Sequence, residues 1–281
     1  MAQALLASCC VMSVRGALGC RALLPLLLAC ASASIAAAGG EGLENYVDCG
    51  DPHGEYWLPS RNTVDCDVPA KVPDVTRVAC LGDSITAGEA RTSASRAYPA
   101  VLQRMLGAEY QVMNLGVGYS TMIKDSKHSY WNTPQWRVAR DSGAEVIILM
   151  FGTNDAKSWD EPDTKNAYAL QYKEMIGDLK TSSPGSAIYM AIPPPAYNKL
   201  FLGLAFYQDT VNRELPALIN KIDEENELTY PAINVFQALG GAGCFRRDLI
   251  SKDGVHPNDK GYRQIAYNVA AALRSSRPQY T

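Results

Sequence analysis

The sequence predicts one α/β domain with a mostly parallel β-sheet covered by helices on both faces. Three observations support this prediction: a length of 281 residues, a hydrophobic content of 47%, and an alternation of short β-branched runs with longer helical patterns. A chain of this size and composition can bury a large core. Strands separated by helices are typical of βαβ units, whose strands run parallel. The sequence shows no repeat, low-complexity run or interdomain linker.

The alternation begins after an irregular arm at residues 39–74. The predicted strands are Arg77–Leu81, Gln111–Leu115, Glu145–Phe151, Ala187–Ile192 and Thr229–Phe236. The predicted helices are Tyr98–Leu106, Trp136–Asp141, Ala167–Thr181, Phe206–Glu227 and Asp259–Ser275. Ligands of an open parallel sheet bind outside the carboxyl ends of its strands. The residues that follow each strand are therefore the candidates for a functional site.

The N-terminal segment differs in composition from the rest of the chain. Arg15 and Arg21 precede an apolar run that ends at Cys30, and small residues follow up to Ala38. This order predicts a signal peptide over the first 38 residues, and hence secretion. A membrane anchor needs about 20 predominantly apolar residues. The strongly apolar part of this segment is shorter, so no stable membrane insertion is expected. The long region before the apolar run leaves a translation start at Met12, or targeting to an organelle, as alternatives.

Cysteine positions agree with removal of that segment. Four of the eight cysteines lie beyond it, at positions 49, 66, 80 and 244. Cys49 and Cys66 flank an irregular stretch, and we predict that they form a disulfide in an oxidising compartment. Cys80 lies in an apolar strand, where a buried free thiol is expected. No CxxC or histidine-rich spacing indicates a metal site.

The charge distribution argues against one class of partner. The net charge is -3, and lysines and arginines are scattered rather than clustered. Nucleic-acid binding needs a basic patch or stripe. No nucleic-acid partner is therefore expected.

A serine stands at the turn between the first predicted strand and the next helix. Ser84 ends a Gly-Asp-Ser turn directly after the strand. Such a serine can present its hydroxyl at the sheet edge, beside backbone N–H groups that bind an anion. Asp and Ser are also ordinary helix caps, so this turn alone leaves a structural role open.

A histidine near the last predicted helix is the candidate base for that serine. His53 lies in the irregular arm and His128 in a polar stretch, whereas His256 directly precedes the final helical segment. Asp253 can accept a hydrogen bond from His256 Nδ1 and leave Nε2 free for Ser84. A capping role for this Asp and His is the alternative.

Gly116 and Asn154 follow the second and third predicted strands. Acyl transfer requires donors for a developing oxyanion, which a backbone N–H or an Asn carboxamide can supply. Either residue alone is a common turn residue. The prediction that both are such donors therefore depends on their occurrence together with Ser84 and His256.

In combination, these segments resemble the four sequence blocks of SGNH (GDSL-type) hydrolases. The matching segments are 82–84, 114–118, 152–155 and 253–256. The resemblance implies a flavodoxin-like three-layer α/β/α sandwich with a five-stranded parallel sheet, over a domain at 75–276 followed by a tail at 277–281. It also implies a cofactor-free serine esterase, with an oxyanion hole and a catalytic triad. The oxyanion hole would comprise Ser84, Gly116 and Asn154, and the triad Ser84, Asp253 and His256.

The amino-acid sequences of these blocks further resemble those of carbohydrate or sialate O-acetylesterases. That resemblance implies a small acyl ester, acetyl in particular, on a carbohydrate as the substrate. Trp131, Trp136 and Trp159 lie in or beside loops after the second and third strands. Their rings are candidate sugar-binding surfaces, although tryptophans in such places are as often part of a satellite core.

Two other functions stay open at this point. A lipase-like or lysophospholipid esterase needs an elongated apolar groove, which residues 197–206 could line; the same stretch could equally be a lid or a buried helix face. A catalytically silent carbohydrate-binding protein is the alternative from another class. The joint presence of Ser84, Asn154, Asp253 and His256 argues against that alternative. The oligomeric state is left open.

Overall fold

A computed structural model of the protein describes residues 42–53, 66–159, 163–197, 200–201, 204–205, 208–243 and 245–275. The predicted signal segment, Cys244 and the C-terminal tail lie outside these residues. Within the described residues, no helix combines the length and the apolar character that a membrane span requires.

A five-stranded parallel sheet forms the middle layer. Its strands, in spatial order, are β1 (Val47–Asp48), β3 (Tyr110–Gly116), β2 (Thr76–Gly82), β4 (Val146–Met150) and β5 (Ala187–Met190). β2 lies between β3 and β4, and nearly all residues of β2 and β3 are buried. Such continuous burial is expected for parallel strands covered on both faces.

Helices cover the two faces of this sheet. They are α1 (Ser84–Ala87), α2 (Tyr98–Leu106), α3 (Pro134–Asp141), α4 (Thr164–Ser182), α5 (Leu215–Glu225), α6 (Val235–Ala238) and α7 (Asp259–Ser275). A short antiparallel pair, β6 (Leu200–Phe201) with β7 (Leu204–Ala205), precedes α5. The bounds of α2 and α7 are those predicted from the sequence.

Side chains of β2 alternate between two hydrophobic cores. Ala79 and Leu81 belong to one core, which buried residues of α3, α4 and α5 complete. Val78 and Cys80 belong to the other, together with buried residues of α2 and α7. This alternation is the period of two that a strand imposes. The predicted three-layer α/β/α sandwich is confirmed.

The prediction of a fifth strand at Thr229–Phe236 is wrong. Only Ile233 pairs with the sheet there, through an isolated parallel bridge to Ala191. Pro231 has no N–H to donate to a ladder, and Asn234 caps α6 by accepting a hydrogen bond from Gln237 N at 3.0 Å. The segment therefore touches the sheet edge once and turns into a helix.

The fifth strand comes instead from the N-terminal arm. Val47 and Asp48 pair with Met113 and Asn114 of β3. Just beyond this strand, Cys49 forms a disulfide with Cys66 across a Cα–Cα distance of 5.6 Å, as predicted. Cys80 is a buried free thiol, also as predicted.

Candidate active site

Ser84 begins α1 immediately after the central strand. Gly82 ends that strand, and a Cβ at Gly82 would lie 2.1 Å from a side-chain oxygen of α1 and 2.7 Å from a carbonyl oxygen of β4. Asp83 caps α1, because its Oδ1 accepts a hydrogen bond from Ile85 N at 2.9 Å. Gly88 ends the helix in the left-handed region, with φ of 96°. This tight turn holds Ser84 at the carboxyl end of β2, beside the point where the strand order reverses.

A chain of hydrogen bonds links Ser84 to His256 and Asp253. Ser84 Oγ lies 2.9 Å from His256 Nε2. His256 Nδ1 lies 2.8 Å from Asp253 Oδ2. The other carboxylate oxygen of Asp253 accepts hydrogen bonds from Val255 N at 2.8 Å and His256 N at 2.9 Å. This arrangement can move a proton from the serine to the histidine while the carboxylate fixes the orientation of the ring.

The environment of Asp253 favours its ionised form. Burial raises the pKa of Asp253, but the hydrogen bond and the charge of His256, together with hydrogen bonds from Ser251 and Val255, outweigh burial, and the pKa lies below its ordinary value. His256 is 3% exposed. Its backbone is fixed by a hydrogen bond from Ser251 N to His256 O at 2.8 Å. The ring is therefore held by contacts on its backbone and on its side chain.

Asn154 lies after β4 on the same edge of the sheet. Its Nδ2 donates to Ser120 O at 3.1 Å, and its Oδ1 accepts from Lys157 Nζ at 2.9 Å. The two contacts set the orientation of the carboxamide. Since Nδ2 carries two hydrogens, one remains for a ligand in the cavity that Asn154 lines together with Ser84.

Two buried carboxyl groups lie beside these residues. Burial raises the pKa of Asp83 to about 6 and that of Asp155 to about 7. Asp155 Oδ1 accepts hydrogen bonds from Met122 N at 2.8 Å and Ile123 N at 3.2 Å, which ties the loop after β3 to the loop after β4. Burial lowers the pKa of Lys157, while the charges of Asp83 and Asp155 oppose this shift.

Gly116 lies at the end of β3, where α1 packs against the strand. Its N–H donates to Asn114 Oδ1 at 3.1 Å, inside β3. A Cβ at Gly116 would lie 2.1 Å from Ala87 N. Gly116 therefore allows α1 to pack closely on β3. Because its N–H is engaged by Asn114 within the strand, its role as an oxyanion donor stays a prediction.

Tyr119 lies three residues after Gly116 and lines the cavity beside Ser84. The sequence did not indicate it as a site residue. Its backbone has φ of 61°, in the left-handed region. Among the described residues, its N–H has no hydrogen-bond partner, whereas the next N–H, of Ser120, donates to Val117 O at 3.2 Å. A tyrosine gives no sequence signal for positive φ, which is why this position was not identified.

The three tryptophans pack against other aromatic rings. Trp136 is 5% exposed and belongs to the core. Trp131 packs on it with a ring distance of 5.0 Å and donates from Nε1 to Met122 O at 2.8 Å. Trp159 lies 5.5 Å from the ring of Tyr168. None of the three is among the described residues that line the cavity beside Ser84, and their role in sugar binding stays a prediction.

The cavity beside Ser84 has a volume of about 450 Å³ with its open mouth included. Besides the residues above, its lining includes His53 and Glu89. His53 Nδ1 lies 3.0 Å from Glu89 Oε2. The sequence places His53 in the irregular arm, where no local pattern indicates a position beside Ser84.

Comparison with known proteins gives a consistent assignment. Residues 80–264 match the model of the GDSL-like Lipase/Acylhydrolase family. An acetylxylan esterase of Xylanibacter ruminicola is 27% identical over 238 residues, which are 78% of this chain and 46% of that protein. The chain thus spans about half the length of this curated relative.

Solved structures share the fold. An aryl esterase of M. smegmatis superposes with a TM-score of 0.56 at 21% identity, covering 72% of this chain and 99% of that one. An acetyl xylan esterase superposes with a TM-score of 0.53 at 18% identity, covering 70% and 99% of the two chains.

Proposed function

Because the chain belongs to the GDSL-like lipase/acylhydrolase family, we propose that it is a serine esterase that removes small acyl groups, acetyl in particular, from a carbohydrate. The observation that carries this proposal is the hydrogen-bonded series from Ser84 through His256 to Asp253, with 2.9 and 2.8 Å between the donor and acceptor atoms. A serine hydroxyl becomes a competent nucleophile when a histidine oriented by a carboxylate can take its proton.

The reaction proceeds in two steps. His256 Nε2 takes the Ser84 proton as Oγ attacks the ester carbonyl, and a tetrahedral oxyanion forms. The oxyanion collapses to an acyl-enzyme, and His256 returns the proton to the departing alcohol oxygen. Water then attacks the acyl-enzyme with His256 again as base, which releases the acid and restores Ser84. Asp253 stays ionised and stabilises the protonated ring.

The oxyanion donors that we propose are Asn154 Nδ2, the N–H of Tyr119 and the N–H of Ser84. The cavity lining shared by Tyr119, Asn154 and Ser84 supports this set. Preorganised donors of this kind stabilise the charge that develops in the transition state. Tyr119 takes the place that the sequence interpretation gave to Gly116.

Two observations support a short acyl group on a carbohydrate. The cavity beside Ser84 has only about 450 Å³ with its open mouth included, which suits a small acyl group. A long acyl chain would need extended apolar surface. The acetylxylan esterase that is 27% identical to this chain supports the carbohydrate part. The residues suggested for a lipase-like groove, 197–206, lie partly outside the described residues.

The proposal predicts a steep preference for short acyl chains. The measurement is kcat/KM on nitrophenyl esters from acetate to palmitate, together with acetate release from acetylated xylo-oligosaccharides. We expect the highest value on acetate and release of acetate from the oligosaccharides. Ser84→Ala should be folded and almost inactive on both. Preference for palmitate would favour the lipase-like alternative, and an inert wild-type protein would favour the carbohydrate-binding one.

We also propose that the protein works in an oxidising, secretory or extracellular compartment. The Cys49–Cys66 disulfide supports this location. Removing the first 38 residues should retain the protein inside the producing cell. Release of that shortened chain into the medium would contradict the proposal.

A further inference from the structure

The N-terminal arm forms one wall of the cavity beside Ser84. After β1 the arm continues along β3, because Asp51 N donates to Gly116 O at 3.0 Å and Asp51 O accepts from Gly118 N at 2.5 Å. The disulfide anchors the same stretch two residues earlier. These contacts fix the backbone that carries His53. The side chain of His53 is thus presented to the cavity by an ordered support.

The partner of His53 is held equally firmly. Glu89 follows α1, and its N–H donates to Ser84 O at 2.8 Å. Its carbonyl oxygen accepts a hydrogen bond from Tyr262 OH, on α7, at 2.6 Å. The side chains of His53 and Glu89 are 65% and 26% exposed, so the pair is open to a ligand.

His53 and Glu89 border two hollows. One is the cavity beside Ser84, and the other is a shallower hollow of about 430 Å³, lined also by Arg91 and Ser93. The ester group of a substrate lies beside Ser84. A larger substrate that extends from there into the second hollow must pass over His53 and Glu89. The pair therefore lies where the alcohol part of a large substrate would make its next contact.

The polar side chains of His53 and Glu89 favour some alcohol parts of the substrate over others. A carboxylate accepts hydrogen bonds from hydroxyl groups, and an imidazole nitrogen either donates or accepts. A sugar residue can satisfy both groups. An apolar chain laid over the pair would remove water from the carboxylate without replacing the lost hydrogen bonds, which is unfavourable.

We propose that His53 and Glu89 form a subsite that binds the hydroxyl groups of a sugar residue adjoining the acylated one. This inference rests on the proposed function, and it adds two residues that recognise the alcohol part of the substrate. The arm thereby contributes to substrate selection as well as to the sheet.

The test compares two substrates in each of three variants. His53→Ala, Glu89→Ala and the control Glu214→Ala are assayed with acetylated xylo-oligosaccharides and with nitrophenyl acetate. Glu214 forms a surface ion pair with Lys165 at 2.6 Å and lines neither hollow. The quantity measured is the ratio of kcat/KM on the oligosaccharide to kcat/KM on nitrophenyl acetate, which has no sugar part.

We expect this ratio to fall about tenfold in His53→Ala and in Glu89→Ala, the effect of losing one hydrogen bond to a charged or polar group. The loss should lie mainly in the KM for the oligosaccharide. The ratio in Glu214→Ala should stay within twofold of wild type. Ratios within twofold of wild type in both test variants would overturn the subsite. Thermal melting of each variant identifies any loss caused by unfolding.

Failure of the subsite can be told apart from failure of the proposed function. If the wild-type protein hydrolyses nitrophenyl acetate but releases no acetate from the oligosaccharides, the carbohydrate substrate is wrong and the subsite falls with it. If the wild-type protein hydrolyses both and the variants keep the wild-type ratio, only the subsite is wrong.

Discussion

At the scale of single residues, Asn154 is the side chain whose proposed role is most directly testable. Its carboxamide is oriented by Ser120 O and by Lys157 Nζ. We expect Asn154→Ala to fold normally and to lower kcat by about 10²- to 10³-fold, the usual loss for one oxyanion donor. Steady-state kinetics on nitrophenyl acetate measure this effect. A loss of less than about threefold would remove Asn154 from the oxyanion hole.

Lys157 should act through Asn154 as a positioning residue. Lys157→Met keeps most of the aliphatic stem and removes the ammonium group, so that the carboxamide loses one of its two orienting contacts. We expect the double variant with Asn154→Ala to be little slower than Asn154→Ala alone, because effects within one unit are not additive. Lys124→Met, which removes a surface ion pair with Glu174, is the control. Fully additive losses would show that Lys157 acts independently.

The meeting of Ser84, Asp253 and His256 was predictable from the sequence because each lies in a short local motif beside a strand or helix end. The role that we propose for Tyr119 was not predictable in this way. Its importance depends on φ of 61° and on an N–H that makes no hydrogen bond among the described residues. Neither property follows from residue type, and Gly116 carried the stronger sequence signal for a close backbone approach.

At the scale of secondary-structure elements, the packing of α1 on β3 depends on Gly116. A Cβ there would meet the backbone nitrogen of Ala87, which cannot move without shifting the helix that carries Ser84. We expect Gly116→Ala to reduce the free energy of unfolding by about 1–3 kcal/mol, the range for overpacking, and to lower activity as well.

The control for this substitution is Gly177→Ala in α4. A Cβ at Gly177 meets no atom within 4 Å, and alanine favours helix by about 1 kcal/mol over glycine. Chemical denaturation should therefore show opposite changes in the two variants. Equal stability of Gly116→Ala and wild type would contradict the packing role of Gly116.

Helices and strands with a clear periodic pattern were predicted well. Short elements, and elements that form by pairing with a distant part of the chain, were not. α2 and α7 carry a repeating apolar stripe, so their bounds followed from the sequence. β1 has only two residues and is defined by pairing with β3, more than sixty residues away. No local pattern encodes such a pairing. Thr229–Phe236 failed for the opposite reason, since β-branched and aromatic residues suggested a strand that Pro231 and Asn234 prevent.

At the scale of the whole molecule, buried carboxyl groups link stability to pH: Asp83 and Asp155 beside the active site, and Asp223 on α5, whose pKa burial also raises to about 6. Burial raises the pKa of Asp83 to about 6 and of Asp155 to about 7, from 3.8. The folded protein therefore binds protons more tightly than the unfolded chain between pH of about 4 and about 7. We expect the free energy of unfolding to decrease as pH rises through this range and to level off above it.

Asp155→Asn should reduce that dependence. The amide keeps an oxygen for the N–H groups of Met122 and Ile123 but cannot ionise. Melting temperatures measured from pH 5 to pH 8 should fall less in this variant than in wild type, whereas Asp141→Asn, at an exposed position, should follow wild type. Parallel profiles for Asp155→Asn and wild type would contradict the assignment.

β1, the strand in the N-terminal arm, also limits how far the chain can be truncated. The family match covers residues 80–264, but β2 begins at Thr76 and α7 continues to Ser275. A recombinant fragment trimmed to the match would start inside the central strand, lack β1, and lose most of its last helix. The edge of β3 would then be uncovered, and an unprotected strand edge pairs readily with other chains. We therefore expect the smallest stable fragment to be larger than the stretch by which the family is recognised, and to include β1.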